Sequence, residues 1–246
     1  MIDLHCHILP GIDDGAANIA ESIALLRLAV ADGITHMVAT PHINPGYFDN
    51  SRVTINNSLA QLRAAIETEQ LHIAITAAAE IRVTADLMLA VEKNQLPFLG
   101  SWQGNKVLLL EMPPSHIPPG SDKLIKWLNQ KGITAMIAHP ERYRDVQSNP
   151  LILEPFKRLG CLFQLTASSL LGDLGERHQV TARQLVQTRL YHIMASDCHN
   201  VSRRPPRLTD SLNEVIKLTD AEYARTLVND NPQLICVELD FQHGLA

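Results

Sequence analysis

The fold is decided by the first forty residues, which read MIDLHCHILPGIDDGAANIAESIALLRLAVADGITHMVAT (residues 1–40). The apolar run at 1–5 is followed by a segment with helical spacing, which begins at a capping-box pattern formed by Asn18 and Glu21. A second β-rich run follows at 34–40. Because parallel strands need a helical crossover between them, this order predicts a strand–helix–strand unit of a parallel sheet.

The same alternation continues along the chain, where β-rich runs stand at 1–5, 34–40, 73–80, 106–111, 133–138, 161–165 and 191–196. Most of them are followed by helical spacing, which predicts an α/β fold whose parallel sheet is either closed as a barrel or left open. Since no linker-like stretch divides the chain, we predict a single domain over residues 1–246. Two helices near 207–218 and 220–229 are expected to cap it.

Composition excludes some classes of protein. The 246 residues are 46% hydrophobic, enough for a large core, and the net charge of -5 disfavours a general nucleic-acid binder. No apolar run of about 18 residues and no signal-like N-terminus is present, so we expect a cytoplasmic protein without membrane insertion. The four cysteines form no C-x-x-C pair and are expected to be reduced thiols. No feature predicts an oligomeric state.

Potential metal ligands follow the predicted strands, and six of the seven contribute: His5, His7, His42, Glu80, Glu111, His139, Asp197 and His199. In an α/β barrel the carboxyl ends of the strands converge on one face, so these side chains are expected to share a pocket. They exceed what one ion needs, which predicts two or three divalent ions, manganese, iron or zinc. Such a cluster activates water and clamps phosphoryl oxygens, which is the chemistry of phosphate hydrolysis.

Other interpretations of these residues stay open on the pattern alone. His5 and His7 point the same way from one strand, as chelating ligands do, but a pair of surface histidines has the same spacing. Glu80 and Glu111 each end an apolar run, where an unpaired carboxylate is costly to bury. A bound cation offsets that cost, and so does a buried ion pair with arginine.

The segment His5-Cys-His7-Ile-Leu-Pro10-Gly-Ile-Asp13-Asp14-Gly15 resembles the opening motif of the CpsB/CapC-type tyrosine phosphatases of the bacterial PHP superfamily, which serve capsule and exopolysaccharide synthesis. The resemblance spans residues 1 to about 206 and continues through Thr40-Pro41-His42, Ala79-Glu80, Leu110-Glu111, His139-Pro140-Glu141-Arg142-Tyr143 and Ser196-Asp197-Cys198-His199-Asn200. It implies a distorted seven-stranded (β/α) barrel, TIM-barrel-like, that holds three metal ions.

The resemblance also implies a role for each site residue. It distributes the ligands as one set of His5, His7, Glu80 and Asp197, a second of Glu80, Glu111 and His139, and a third of Asp14, His42 and His199. Manganese is the foremost candidate for the metal. Phosphate is expected to bind to the planar guanidinium groups of Arg142 and Arg204. The predicted catalytic residues are therefore Arg142, Arg204, Asp14 and His199.

The implied activity is that of a metal-dependent protein tyrosine phosphatase, in which a metal-activated hydroxide hydrolyses phosphotyrosine. The implied partner is the phosphotyrosine tail of a bacterial tyrosine autokinase that regulates capsular polysaccharide synthesis. One alternative within the superfamily is a phosphatase of a small phosphomonoester such as histidinol phosphate. Another is a nucleic-acid phosphoesterase, against which the acidic charge balance argues. A module that binds a phosphorylated tail without cleaving it is the non-enzyme alternative.

Two further enzyme classes share single features with this chain. Cys198 and Arg204 have the C-x5-R spacing of cysteine-dependent phosphatases, but the loop between them has no glycine and runs into Pro205-Pro206. Amidohydrolases commonly carry a lysine on strand four, but that region ends here in Leu110-Glu111-Met112 without one, so a bridging carbamylated lysine is not available. Tyr47 and Phe48 are candidates for guarding the pocket. We interpret the remaining histidines as structural: His36, His72, His116, His178, His192 and His243.

Overall fold

The computed structural model describes residues 1–241, over which strands and helices alternate. The strands are β1 (Ile2–Cys6), β2 (His36–Ala39), β3 (His42–Ile43), β4 (Ala74–Ala77), β5 (Glu80–Arg82), β6 (Ser101–Trp102), β7 (Asn105–Glu111), β8 (Ile133–Ile137), β9 (Leu162–Thr166) and β10 (Ile193–Ala195). The helices are α1 (Ile19–Ala31), α2 (Arg52–Thr68), α3 (Leu87–Glu92), α4 (Ser121–Gln130), α5 (Arg144–Ser148), α6 (Glu154–Arg158), α7 (Ala167–Leu171), α8 (Glu176–Gln187), α9 (Thr209–Leu218), α10 (Ala221–Arg225) and α11 (Asn231–Cys236).

The first strand–helix–strand unit forms as its sequence predicts. Helix α1 begins where the Asn18 side chain accepts a hydrogen bond from the backbone N–H of Glu21 at 3.0 Å. It ends before Gly33, whose φ of +86° lies in the left-handed region that favours glycine. Strand β2 then pairs parallel to β1, with Ile2 opposite His36.

The parallel strands form two ladders, one in the order β1-β2-β4 and one in the order β10-β9-β8-β7-β5-β3, with β6 antiparallel to β7. The second ladder is a curled half-barrel of six strands. The predicted α/β class is therefore confirmed, but the count of seven strands in one barrel is not. One predicted run, 73–80, is interrupted, and a short strand, β3, follows the run predicted at 34–40. Pro41, which has no N–H for a ladder, separates β2 from β3, and Ala78-Ala79 separates β4 from β5.

Alternate positions along the strands supply two apolar layers. Leu108 and Leu110 of β7 belong to the layer that packs the sheet against the helices, whereas Leu109 belongs to a smaller cluster with Leu4 of β1 and Ile235 of α11. The sheet is thus covered on both faces, as parallel sheets are. Within residues 1–241, each helix is too short or too polar to cross a lipid bilayer.

Candidate active site

The predicted site residues converge at the carboxyl edge of the sheet, around a cavity of about 230 Å³. His5 and His7 lie fully buried at the end of β1. The other nine line the cavity: Asp14, His42, Glu80, Glu111, His139, Arg142, Asp197, His199 and Arg204. All eleven residues selected from the sequence are therefore brought together.

Gly15 allows the loop after β1 to fold back onto this strand. A Cβ atom at Gly15 would lie 2.0 Å from the backbone oxygen of His7, so any larger residue would displace the loop. The backbone N–H of Ala16 donates to the same oxygen at 3.1 Å. This close contact holds the Asp13-Asp14 pair beside the histidines.

The innermost donor atoms are evenly spaced. The Nε2 atoms of His5 and His7 are 3.3 Å apart, and each lies 3.4 Å from Oδ1 of Asp197. Oε2 of Glu80 lies 3.4 Å from His5 and 3.5 Å from His7. Two ligands of one ion, each roughly 2.1 Å from it at a near-tetrahedral angle, are about 3.4 Å apart. The donor spacing therefore fits a divalent ion.

A second group of donors lies nearer to solvent. The Nε2 atoms of His42 and His199 are each 3.4 Å from Oδ1 of Asp14, whose side chain is about half exposed. The rings of both histidines pack against His7, with centroids 4.5 and 4.0 Å away. His7, Asp14, His42 and His199 thus form a group with ligand atoms close enough to share an ion.

The remaining donors join these two groups. Glu80 lies between them, with Oε1 2.8 Å from Nε2 of His139 and Oε2 3.0 Å from Nδ1 of His42. Glu111 is 3.8 Å from His42 and 3.9 Å from His139. The ligand atoms therefore form one continuous cluster, and the set that the resemblance implied around Glu111 has His42 as an additional neighbour.

Positive charges keep the innermost carboxylates ionised. Burial opposes ionisation of Asp197, but Arg204 and His5 lower its pKa well below the ordinary value. Burial also opposes ionisation of Glu80, whose pKa the imidazole of His5 and its neighbours lower well below the usual range. Both residues are therefore acceptor-only groups, as ligands to a cation must be.

Glu111 and His139 are shifted the opposite way. Burial and the negative charge of Glu80 raise the pKa of Glu111 to about 7. Burial and the positive charge of Arg142 lower the pKa of His139 to about 4, so this imidazole is neutral and has a lone pair to offer. A divalent cation would relieve the repulsion between the two glutamates and accept that lone pair.

Two arginines hold the outer oxygen of Asp197. Nη1 of Arg142 and Nη2 of Arg204 lie 2.6 and 2.5 Å from Oδ2, on the oxygen that does not face the histidines. Both side chains are partly exposed and line the cavity. Their guanidinium groups therefore place positive charge next to the ligand cluster.

Sequence reasoning missed two residues that orient the innermost histidines. Oδ2 of Asp13 accepts a hydrogen bond from Nδ1 of His7 at 2.7 Å, and Oε1 of Gln164 accepts one from Nδ1 of His5 at 3.0 Å. Asp13 stood in the quoted motif without a role. Gln164 is a polar residue inside the apolar run at 161–165, which was the signal that could have identified it.

A third arginine of the cavity was also missed. Nη2 of Arg82 lies 2.9 Å from Oε2 of Glu111, and Arg82 stands two positions after Glu80 on β5, so both side chains leave the strand on one face. That spacing was the available signal. The ion pair with arginine that the sequence left open for the two glutamates is therefore present at Glu111.

Cys198 does not reach the cavity. Its side chain is fully buried next to Cys6, while Arg204 of the same C-x5-R spacing points to Asp197. Of the two loop aromatics, Phe48 lines the cavity and stacks on His42, with ring centroids 5.4 Å apart, whereas Tyr47 is exposed. Outside the cavity lie His36, His72, His116, His178 and His192, and His243 lies outside the described residues.

The fold and the cluster together define a candidate metal-dependent hydrolase of the α/β class. Residues 1–237 match the family model described as capsular polysaccharide synthesis, CpsB/CapC. The chain belongs to the CpsB/CapC family, and the resemblance seen in the sequence is confirmed.

The chain aligns with several named proteins over most of its length. It is 37% identical over 204 residues to the tyrosine-protein phosphatase YwqE of Bacillus subtilis (strain 168), covering 83% of this chain and 79% of that protein. It is 30% identical over 247 residues to the tyrosine-protein phosphatase CpsB of Streptococcus pneumoniae, covering 97% and 99%. A crystal structure from work on YwqE and CpsB, described as unique metal-dependent tyrosine phosphatases, matches with a TM-score of 0.90, 34% identity and coverage of 98% and 96%.

Proposed function

We propose that this chain is a metal-dependent protein tyrosine phosphatase that hydrolyses phosphotyrosine. The observation that carries the proposal is the cavity itself, with imidazoles and carboxylates at its base and two arginines beside them. Hydrolysis of a dianionic phosphate needs local positive charge and a group that activates water. In this cavity the two arginines supply the charge, and the imidazoles and carboxylates can hold a metal ion that activates water. The relatives named above are tyrosine-protein phosphatases.

The proposed cofactors are two to three divalent ions, with manganese foremost and iron or zinc as alternatives. When bound, such ions would supply Lewis acidity, lowering the pKa of water and offsetting charge on phosphoryl oxygens. The even donor spacing and the repulsion between Glu80 and Glu111 support this proposal. The proposed ligands are His5, His7, Asp14, His42, Glu80, Glu111, His139, Asp197 and His199.

Arg142 and Arg204 are the proposed phosphate ligands. Each contacts Asp197 through one terminal nitrogen, which leaves other N–H groups of the fork to donate to phosphate oxygens. Asp197 fixes both guanidinium groups before substrate arrives. Donors held in place in this way stabilise negative charge that gathers on the phosphoryl group during transfer. Asp14, whose side chain is about half exposed, and the buried His199 complete the proposed catalytic set.

The proposed substrate is a phosphotyrosine in the tail of a bacterial tyrosine autokinase, in keeping with the capsule-related family description. Phe48 offers an aromatic wall against which the phenol ring can stack. No residue of the cavity is assigned as a general acid. The phenol has a pKa of about 10, which makes it a better leaving group than an alcohol.

We also infer that the two ladders close as one distorted seven-stranded barrel, in a single domain over residues 1–246 capped by the C-terminal helices. In support, the N–H of Asp197 donates to the oxygen of His5 at 2.8 Å and the N–H of His7 donates to that of Cys198 at 2.9 Å. These bonds join β1 to the chain that follows β10. On the other side, the N–H of Ala78 donates to the oxygen of Ala39 at 2.8 Å and that of Glu80 to the oxygen of Thr40 at 3.3 Å, so the pairing of β2 with β4 continues into that of β3 with β5.

The test is phosphate release, or nucleotide release from single-stranded DNA, by protein stripped of metal and then reconstituted with manganese, iron or zinc. Substrates are a phosphotyrosine peptide, the matched phosphoserine peptide, histidinol phosphate and single-stranded DNA. We expect metal-dependent turnover of the phosphotyrosine peptide. Activity that persists after exhaustive chelation, with the absence of metal verified by elemental analysis, would contradict the metal-dependent mechanism. Faster turnover of histidinol phosphate would favour the small-substrate alternative.

A further inference from the structure

We propose that Arg82 is a positioning residue that holds Glu111 in the ligand cluster, an inference that rests on the proposed metal site. Arg82 and Glu111 are direct partners in the parallel ladder of β5 and β7. Nη2 of Arg82 lies 2.9 Å from Oε2 of Glu111, and the N–H of Val83 donates to the backbone oxygen of Glu111 at 2.9 Å. The register of β5 against β7 and the ion pair with Arg82 therefore both hold Glu111 in position.

Glu111 depends on this contact more than the other carboxylates depend on theirs. Its side chain is only 7% exposed, and it faces the negative charge of Glu80. Within the described chain, the nearest imidazole nitrogens are those of His42 and His139, at 3.8 and 3.9 Å, beyond hydrogen-bond distance. Without Arg82 the carboxylate would be a nearly buried charge with no close cation, and it would turn away from Glu80.

Arg82 is itself held in place. Its Nη1 donates to the backbone oxygen of Met112 at 3.2 Å. The N–H of Met112 in turn donates to the hydroxyl of Tyr143 at 3.0 Å, and this hydroxyl donates to the oxygen of Ala138 at 2.7 Å. The guanidinium therefore rests on a buried network at the end of β7, as residues that orient metal ligands commonly do.

The contacts of Arg82 differ from those of the proposed phosphate ligands. Its two terminal nitrogens contact Glu111 and Met112, at the end of β7. Arg142 and Arg204 instead converge on Asp197, which follows β10, three strands away in the ladder. Arg82 therefore acts on the ligand cluster, and phosphate binding is left to the other pair.

The test is calorimetric titration of Mn²⁺ into metal-stripped protein, for wild type, Arg82→Met, Arg82→Lys and the control Arg144→Met, an exposed arginine. We expect Arg82→Met to weaken Mn²⁺ binding about 10–100-fold at the site that includes Glu111. Arg82→Lys, which keeps the charge but not the fork, should recover part of the affinity, and Arg144→Met should match wild type. Circular dichroism confirms folding, and Arg82→Lys keeps the test valid if Arg82→Met does not fold.

Kinetics on a phosphotyrosine peptide at saturating Mn²⁺ then separate positioning from substrate binding. A positioning role predicts a lower kcat with little change in KM. Wild-type Mn²⁺ affinity in both variants would overturn the proposal, as would a raised KM with unchanged Mn²⁺ binding. If wild-type protein binds Mn²⁺ and hydrolyses no phosphotyrosine, the proposed function fails while the titration still decides the role of Arg82.

Discussion

Oδ2 of Asp13 lies 2.7 Å from Nδ1 of His7 and also accepts the backbone N–H of His42 at 3.2 Å, so one carboxylate connects two of the predicted metal ligands. Its other oxygen accepts the N–H of Gly15 at 3.0 Å, which ties the carboxylate to the loop. Because Asp13 accepts the hydrogen on Nδ1, Nε2 is the His7 nitrogen that faces the cluster and would offer a lone pair to a bound cation. Burial opposes ionisation of Asp13, but the neighbouring His7 lowers the pKa of this carboxyl group.

Substitution of Asp13 should therefore weaken metal binding without removing a ligand. We expect Asp13→Ala to lower Mn²⁺ affinity about 10–100-fold, and Asp13→Asn to lower it less, because an amide oxygen still accepts a hydrogen bond but carries no charge. Calorimetric titration of metal-stripped protein gives the measurement. Asp86→Asn, an exposed carboxylate that caps nothing through its side chain, is the matched control. Equal affinity in all variants would contradict this role.

The strands and their terminal ligands could be predicted because both follow from local pattern. Alternation places His5 and His7 on one side of β1, and apolar runs that end in Glu80 or Glu111 place carboxylates at the edge of a parallel sheet. The break in the run at 73–80 and the short strand β3 after the run at 34–40 were not predicted. Ladder partners depend on which backbone groups meet across strands, and periodicity along one strand carries no information on that.

Residues on loops were identified only through the resemblance. Asp14 and the arginines stand where no period applies, and pattern alone does not separate Arg204 from Arg203. The structure separates them, since Arg204 lines the cavity and Arg203 is exposed outside it. Gln164 and Arg82 were missed for a different reason. Each acts through a neighbouring ligand, and the pattern of strand-end ligands indicates only side chains that bind metal or phosphate directly.

The adjacent arginines give a matched pair for testing phosphate binding. We expect Arg204→Ala to lower kcat/KM for a phosphotyrosine peptide about 10²- to 10³-fold, the usual effect of removing one donor that stabilises transition-state charge. Arg203→Ala should leave kcat/KM unchanged, because its side chain lies outside the cavity. Steady-state kinetics at saturating Mn²⁺ gives both values. Equal losses in the two variants would show that Arg204 has no special contact with phosphate.

Cys198 provides a test of the thiol alternative. Because its side chain is buried against Cys6 and points away from the cavity, we expect Cys198→Ser to keep most of its activity. Cys161→Ser, another buried cysteine remote from the cluster, controls for the stability cost of placing a hydroxyl in an apolar site. Phosphate release and metal content are measured on the same samples. Loss of activity in Cys198→Ser alone, with metal content intact, would instead favour a thiol nucleophile.

Metal binding should also stabilise the fold, since the unfolded chain has no assembled cluster. Manganese at 100 times its Kd would add about 2.7 kcal/mol to the free energy of unfolding. For a chain of this size that corresponds to a rise in Tm of about 5–10 °C. Glu80→Gln should abolish most of this rise, because Glu80 lies within 3.5 Å of His5, His7, His42 and His139.

Differential scanning calorimetry of metal-stripped protein with and without Mn²⁺ measures this shift. The exposed Glu92 gives the control, and Glu92→Gln should respond to Mn²⁺ as wild type does. The two glutamines differ only in whether the lost charge belonged to the cluster, so general loss of acidity cannot explain a difference between them. A wild-type Tm that stays constant while elemental analysis finds bound manganese would contradict this prediction, because the metal would then bind the folded and the unfolded chain equally well.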